Sequence, residues 1–169
     1  MAATYEPIAT QTLASATATV TFSSISGSYT DLVLVAIGKT TDGSAYKNLF
    51  VKPNNDTNAN YSRTYVGGDG STTYSNRTTN ISDGLQCGYL QGSGSIQTSI
   101  TSFFNYSNTT TYKTVLTRYG GNTDGADKQT NAQVGLWRST SAITSLVLSA
   151  SAGNIDAGST FTLYGIKAA

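Results

Sequence analysis

The sequence contains no histidine, and it has a single glutamate, Glu6, and a single cysteine, Cys87. Without histidine, neither a Ser-His-Asp nor a Cys-His nucleophilic centre can form. One cysteine cannot make an internal disulfide, and it lacks the further cysteine or histidine ligands that a zinc site needs. We therefore expect Cys87 to be a buried, unreactive thiol.

Charge and long apolar runs are also scarce. Charged residues make up 11% of the 169-residue chain and the formal net charge is +1, so no basic stripe is available to neutralise phosphates. The longest apolar run, residues 32–37, is six residues long, whereas a membrane-spanning helix needs about 20. The N-terminus lacks the basic and apolar segments of a secretory signal. We expect neither nucleic acid nor membrane as a partner.

The acidic side chains do not favour catalysis. Eight aspartates are present, and two of them could flank a sugar as in glycoside hydrolases, but each stands among turn-forming residues. Residues 122–127 alternate Asn and Asp as calcium loops do, yet the final acidic ligand is missing, which favours an ordinary turn. The chain is predicted to be no enzyme and to bind no cofactor or metal.

Serine and threonine fill 49 positions, and they alternate with apolar residues in short segments that are typical of half-buried strands. Residues 17–22 alternate in this way, with Ala18, Val20 and Phe22 on one face. In residues 32–37 the apolar side chains occupy both faces. This segment is therefore predicted to be a central strand that is covered on both sides or lies at a subunit contact.

The spacing of these segments predicts one β-sandwich domain over residues 1–169, all-β, antiparallel and jelly-roll-like, with a closed barrel as the second choice. The turn-rich connector before residue 159 predicts that the last two strands form an antiparallel hairpin. Segments 54–60, 67–84 and 120–130 are predicted to be loops, and little helix is expected. Further strands are predicted at 5–12, 47–52, 61–66, 86–90, 98–104, 111–119, 131–138, 142–149 and 159–167.

Aromatic residues provide the candidate site, since the chain has eleven tyrosines and one tryptophan. Strand alternation places Tyr61, Arg63 and Tyr65 on one face, with Tyr74 nearby in sequence. Together with Trp137, these residues are the candidate interface or glycan patch. The alternative is that the tyrosine rings are buried at sandwich edges or subunit contacts with bonded hydroxyls, and that Trp137 belongs to the core or an interface.

Several sequence blocks are distinctive: LASA at 13–16, TFSSI at 21–25, YTDLVLV at 29–35, NYSRT at 60–64, NYSNTTTYK at 105–113, GLWRST at 135–140 and GSTFTLYGIK at 158–167. Together these blocks resemble a β-module that is common in structural proteins of tailed bacteriophages, particularly phages of cyanobacteria and marine bacteria. Similar modules occur in virion surface proteins and in tail fibres, and the resemblance brings no catalytic residues with it.

The resemblance implies a virion protein, and two roles are open. Since the first predicted strand begins at Tyr5, we expect no shaft before the module, which favours a capsid decoration (cement) protein at the capsid surface. Its expected partners are the major capsid protein and copies of itself, as a homotrimer. The alternative is a tail fibre or other receptor-binding module that recognises host surface glycans, and a further option is a tail-tube or baseplate component.

Overall fold

A computed structural model describes residues 4–43, 46–92, 96–121 and 129–167. Within these ranges the chain is all-β, without a helix. Two antiparallel sheets, one of eight strands and one of four, pack together as a sandwich, as predicted. The strands are β1 (Tyr5–Thr12), β2 (Thr19–Phe22), β3 (Asp31–Gly38), β4 (Lys47–Pro53), β5 (Tyr61–Gly68), β6 (Thr73–Ile81), β7 (Leu85–Leu90), β8 (Gln97–Phe104), β9 (Lys113–Gly121), β10 (Gln129–Trp137), β11 (Leu146–Ala150) and β12 (Thr160–Ile166).

The pairing of the strands is nested, which is the jelly-roll arrangement. The large sheet has the order β1-β12-β3-β8-β9-β10-β5-β6, and the small sheet has the order β2-β11-β4-β7. The outermost pair is β1 with β12, followed by β2 with β11, β3 with β8, and β4 with β7. These eight strands complete the roll. The remaining strands form two antiparallel pairs, β5–β6 and β9–β10, which extend the large sheet beyond β8.

The core lies between the inner faces of the two sheets. In β3, Leu32 and Leu34 point inward and are almost fully buried, as strand alternation requires. β3 lies inside the large sheet, between β12 and β8. Cys87 is fully buried in β7, where burial raises the pKa of its thiol. The predicted burial of Cys87 is therefore confirmed, and a raised thiol pKa disfavours the reactive thiolate.

The strand β6 corrects the prediction of a loop over residues 67–84. β6 pairs with β5 across a turn in which Asp69 Oδ1 accepts hydrogen bonds from the backbone N–H groups of Ser71 (2.9 Å) and Thr72 (2.6 Å). As the outermost strand of the large sheet, β6 buries little surface, so its side chains stay polar and carry no apolar alternation. Backbone hydrogen bonds to β5, rather than the burial of an apolar face, hold β6 in the sheet.

The predicted hairpin of the last two strands is wrong. β11 pairs with β2 and β4 in the small sheet, whereas β12 pairs with β1 and β3 in the large sheet. The connector between them crosses from one sheet to the other, and Ile155 in this connector is fully buried. The turn-forming residues of this connector therefore belong to a crossover between the two sheets and not to a hairpin.

The strand predicted at 142–149 begins four residues later, at Leu146. Residues 142–145 form a strap held by Asn54, whose side chain donates to Ala142 O (2.7 Å) and accepts from the backbone N–H of Thr144 (2.8 Å). Ile143 within the strap is buried. Its burial explains why this position is apolar although the strap is not part of a β-strand.

Gly165 in β12 is a position where the absence of a side chain matters for packing. A Cβ atom at this residue would overlap the ring of Tyr29, which lies flat against the strand. We expect Gly165→Ala to lower the free energy of unfolding by about 1–3 kcal/mol, because the ring has to move away. Gly43→Ala is the matched control, since nothing lies within 4 Å of a Cβ there. Equal urea midpoints for the two variants would contradict this packing.

Candidate interaction surfaces

The outer face of the large sheet, which points away from the small sheet, is apolar. Six large apolar side chains on this face are between 38% and 56% exposed, and all six lie in strands. Phe104 is the last residue of β8. These residues are Ile37, Val66, Ile100, Phe104, Leu116 and Val134. No described part of the chain covers their exposed surface.

The register of the strands joins these side chains into one surface. Val35 in β3 lies opposite Ile100 in β8, and Leu116 in β9 lies opposite Val134 in β10. The surface therefore runs across β3, β8, β9, β10 and β5, a width of about 20 Å at the usual strand spacing. It contains a groove of about 600 Å³ bordered by Ile100, Phe104, Leu116 and Val134 among others. Arg118 is the only charged residue among the described groove residues.

The pattern of β8, β9 and β10 is partly inverted relative to an ordinary sandwich strand. Beside the apolar core residues Phe103, Val115 and Trp137, their inward positions carry many buried polar residues, and several outward positions carry large apolar ones. Ordinary strands direct apolar residues to the core and polar residues to water. The buried polar residues are Gln97, Ser99, Thr101, Lys113, Thr117, Asn131 and Gln133. The uncovered apolar face is therefore a consistent feature of three adjacent strands.

Tyr61 and Trp137, two members of the candidate patch, lie in the core. Tyr61 is fully buried and Trp137 is 2% exposed. The Tyr61 hydroxyl donates to Asp56 O (2.7 Å), and Trp137 Nε1 donates to Asp56 Oδ2 (2.8 Å). Burial raises the pKa of the Tyr61 hydroxyl. This agrees with the alternative of buried rings with bonded hydroxyls, and a surface patch in this chain cannot include either side chain.

Asp56 connects the 54–60 loop to this part of the core. Its carboxylate also accepts from the side chains of Asn58 and Asn60, each at 2.8 Å. Partial burial by itself would raise the pKa of Asp56, but the hydrogen bonds from Asn60, Trp137 and Asn58 outweigh it and lower the pKa to about 2. The ionised carboxylate therefore stabilises the fold.

This carboxylate gives a pH dependence with a defined sign. The pKa of Asp56 is lower in the folded chain than the value of about 3.9 in an unfolded chain. Its contribution of about 1–2 kcal/mol is therefore complete above pH 4 and is lost as the pH falls from about 4 to about 2. Asp56→Asn should lower stability at pH 7 and flatten this acid limb in urea unfolding curves. The exposed Asp83→Asn is the control, and an unchanged acid limb in Asp56→Asn would count against this role.

Arg63 and Tyr65, the other two candidate residues, lie on the inward side of β5, near the edge of the sandwich, and both are half-buried. The Arg63 guanidinium lies over the ring of Phe50, 5.4 Å from its centre. Its Nε and Nη1 atoms are buried without a hydrogen-bond partner, and none of the ion pairs among the described residues includes Arg63. The Tyr65 ring meets the Tyr74 ring edge to face at 6.2 Å.

Around these two residues lies a group of aromatic and amide side chains, which we call the tyrosine–amide cluster. Its aromatic members are Tyr46, Tyr65, Tyr74, Tyr89 and Tyr119, and its amide members are Asn48, Gln86, Gln129, Asn131 and Gln133. All four part-exposed rings, those of Tyr46, Tyr65, Tyr74 and Tyr89, reach the surface at one edge of the sandwich.

Short contacts hold the cluster together. The Tyr89 ring centre is 4.3 Å from that of Tyr46 and 4.8 Å from that of Tyr119. Burial, and then the nearby phenol of Tyr46, raise the pKa of Tyr89 to about 12. Gln86 Nε2 donates to the Tyr119 hydroxyl (3.2 Å), and the Tyr74 hydroxyl lies 2.9 Å from Asn131 Oδ1.

Sequence reasoning identified only part of this cluster. Tyr65 and Arg63 were found by strand alternation, and Tyr74 by its nearness in sequence. Tyr46, Tyr89 and Tyr119 lie on three other strands or loops, and only the sheet topology brings them to the same place. One sequence feature pointed to the outer face: the predicted strand at residues 32–37 carries apolar side chains on both of its faces.

The described residues hold no group of three or more potential metal-ligating side chains of the Asp, Glu, His or Cys type. The loop at 122–127, predicted to be a turn rather than a calcium site, lies outside the described residues. Where the chain is described, it has no helix that is long and apolar enough to cross a membrane.

Comparison with models of known protein families gives no match for this chain, and a search of curated proteins likewise gives none. What the chain can do must therefore be argued from its own surfaces.

Proposed function

We propose that this protein is a structural component of a bacteriophage virion, and specifically a capsid decoration (cement) protein that binds and stabilises the head surface. The observation that carries the proposal is the uncovered apolar outer face of the large sheet. A monomeric soluble protein rarely exposes a contiguous apolar patch unless it serves an interaction. The proposed partners are the major capsid protein and further copies of this chain, with a homotrimer as the expected assembly.

The partly inverted pattern of β8, β9 and β10 supports an interaction role for this face. Exposing Ile100, Leu116 and Val134 adds nothing to the stability of an isolated chain. Burying each of them against a partner would contribute about 1–2 kcal/mol. The apolar outward positions are therefore explained if a partner covers them.

Shape and charge favour a macromolecular partner over a small ligand. The outer face is wide and crosses five strands, and Arg118 is the one charged residue among the described residues that line its groove. A standard interface buries about 800 Å² on each partner. Many copies on one capsid need only modest individual affinity, because multivalent attachment multiplies the effect of each contact. The near-neutral net charge of +1 allows identical copies to lie close together without repulsion.

The resemblance to modules of tailed-phage structural proteins supports the location on a virion. In the tail-fibre alternative, a similar module is present in a different number of copies per virion. Quantifying the protein in purified virions separates the two, since a decoration protein is present in hundreds of copies and a tail component in a few to tens.

The direct test uses phage heads that lack this protein. Filled heads without it should rupture at a lower temperature or force than heads that carry it, and adding back the purified chain should restore resistance. Heads that rupture identically with and without the protein would exclude cementing. Failure of the added chain to bind the heads would exclude the outer face as a capsid contact.

A further inference from the structure

We propose that the tyrosine–amide cluster is a saccharide-binding site, separate from the outer face that serves attachment. This goes beyond the proposed function, because a decoration protein needs no such site to hold a capsid together. The cluster lies on the inward side of β5 and β6 and on the neighbouring edge of the small sheet. The side chain of Tyr65 points to the side opposite that of Val66 on the outer face.

The first argument is the set of buried polar atoms that have no partner. Asn131 Nδ2 and Gln133 Oε1 are unpaired, and both residues are 4% exposed. Arg63 adds two unpaired donors, Nε and Nη1. An unpaired buried polar group costs about 1–3 kcal/mol. Gln133 lies opposite Tyr65 and Asn131 opposite Gly67, on the same face of the paired strands β5 and β10 as Arg63, so these four atoms indicate that something polar completes the site.

The second argument is the mixture of donors and acceptors. The nitrogen atoms of Asn131 and Arg63 can donate, whereas the oxygen atom of Gln133 can accept. A hydroxyl group both donates and accepts, so a ligand that carries several hydroxyl groups can satisfy both kinds of atom. An apolar ligand would leave all of them unpaired and would be rejected.

The third argument comes from the rings. Tyr65 and Tyr74 are half-buried, and their edge-to-face contact fixes the orientation of both. An aromatic ring held rigidly with one face accessible offers a flat apolar surface on which the C–H face of a sugar ring packs. Gly67 allows the arrangement, because a Cβ there would overlap Asn131 Oδ1 and crowd the Tyr74 ring.

Arg63 extends the inference to acidic sugars. Its guanidinium carries a charge that no carboxylate among the described residues neutralises through an ion pair. A charged guanidinium donates a stronger hydrogen bond to a carboxylate than to a neutral hydroxyl group. A saccharide that contains a uronic acid therefore matches the site better than a neutral one.

The experiment measures retention of the purified chain on immobilised oligosaccharides, with neutral and uronic-acid-containing probes of equal length. We expect wild-type protein to be retained, more strongly on the uronic-acid probes. Tyr65→Ala should weaken retention at least tenfold on both probes. Tyr74→Phe, which removes only a hydroxyl group, should weaken it several-fold. Arg63→Gln should abolish the preference for the acidic probes.

Tyr112→Ala is the matched control, because Tyr112 is a 56% exposed tyrosine outside the cluster. It should bind as wild type does, and unfolding curves show whether each variant is folded. No retention of the wild-type chain, or equal retention of Tyr65→Ala and Tyr112→Ala, would overturn the proposal and leave water as the partner of the unpaired atoms. Arg63 does not line the groove of the outer face, so capsid binding by Arg63→Gln should be normal, and loss of its preference for acidic probes is independent of the proposed function.

Discussion

Under the proposed function, replacing both Leu116 and Val134 with lysine should lower the affinity of this protein for phage heads by at least about 100-fold. The two side chains lie opposite each other on β9 and β10, at the centre of the apolar outer face. In a complex, two ammonium groups would be buried against an apolar surface without partners. The cost of several kcal/mol exceeds the 2.7 kcal/mol that corresponds to 100-fold.

The same substitutions should leave the isolated chain folded. Leu116 and Val134 are 44% and 47% exposed, so the lysine side chains can extend into water. The double variant Thr19→Lys and Thr21→Lys is the matched control, because it adds the same charge at exposed positions of β2 in the small sheet. Occupancy on heads lacking the protein is measured for both, and light scattering shows whether contacts between copies are lost as well. Equal occupancy of the two variants would rule out the outer face.

Trp137→Ala should lower the free energy of unfolding by about 3–5 kcal/mol. The indole is the largest fully buried side chain of the core, and its removal leaves a cavity that the surrounding strands cannot close. The substitution also removes the Nε1 donor of Asp56, so the carboxylate loses one of the hydrogen bonds that keep it ionised. Since domains of this size are stable by about 5–15 kcal/mol in total, the variant should be marginally folded.

Trp137→Phe separates the two contributions. Phenylalanine keeps much of the ring volume but has no N–H donor, so we expect a smaller loss that includes about 1–2 kcal/mol for the missing hydrogen bond. Tyr112→Ala, at an exposed ring, should change stability by less than about 0.5 kcal/mol. Urea unfolding measures all three. A loss below about 1 kcal/mol for Trp137→Ala would mean that Trp137 is not a core residue.

The fold was predictable from the sequence because local patterns decide most of it. In β2 and β12, alternation of threonine with apolar residues specifies a half-buried strand, and the structure places these strands as expected. β6 was missed because an edge strand needs no buried face, so its sequence of Thr, Ser, Asn and Arg resembles a loop. Its only signal was the Asp-Gly turn at residues 69 and 70, which joins two strands.

The pairing of strands could not be predicted in the same way. The segments that become β11 and β12 are neighbours in sequence, and a turn-rich connector joins them. A burial pattern does not distinguish a hairpin from a crossover between sheets, because both place the same residues inward. The arrangement depends on the pairing partners, which are β2 and β4 for β11 and β1 and β3 for β12. These partners lie more than 90 residues away in the sequence.

The candidate site was predictable only in part for a related reason. Alternation shows that Ile100 and Phe104 share one face of a strand, but it does not show which face is inward. The usual assumption places the more apolar face in the core, and β8 does the opposite. Tyr61 and Tyr65 share a face in the same way, yet one is fully buried and the other half-buried, because β5 passes from the centre of the sandwich to its edge.

The nested pairing of the strands determines when this protein can fold during synthesis on the ribosome. β12 is the partner of both β1 and β3, so the large sheet stays open until nearly the whole chain has been translated. Contacts between segments so distant in sequence form slowly, typically in milliseconds to seconds for β-rich domains. In the meantime the apolar residues of β8, β9 and β10 are already exposed to other nascent chains, a condition that favours aggregation during synthesis.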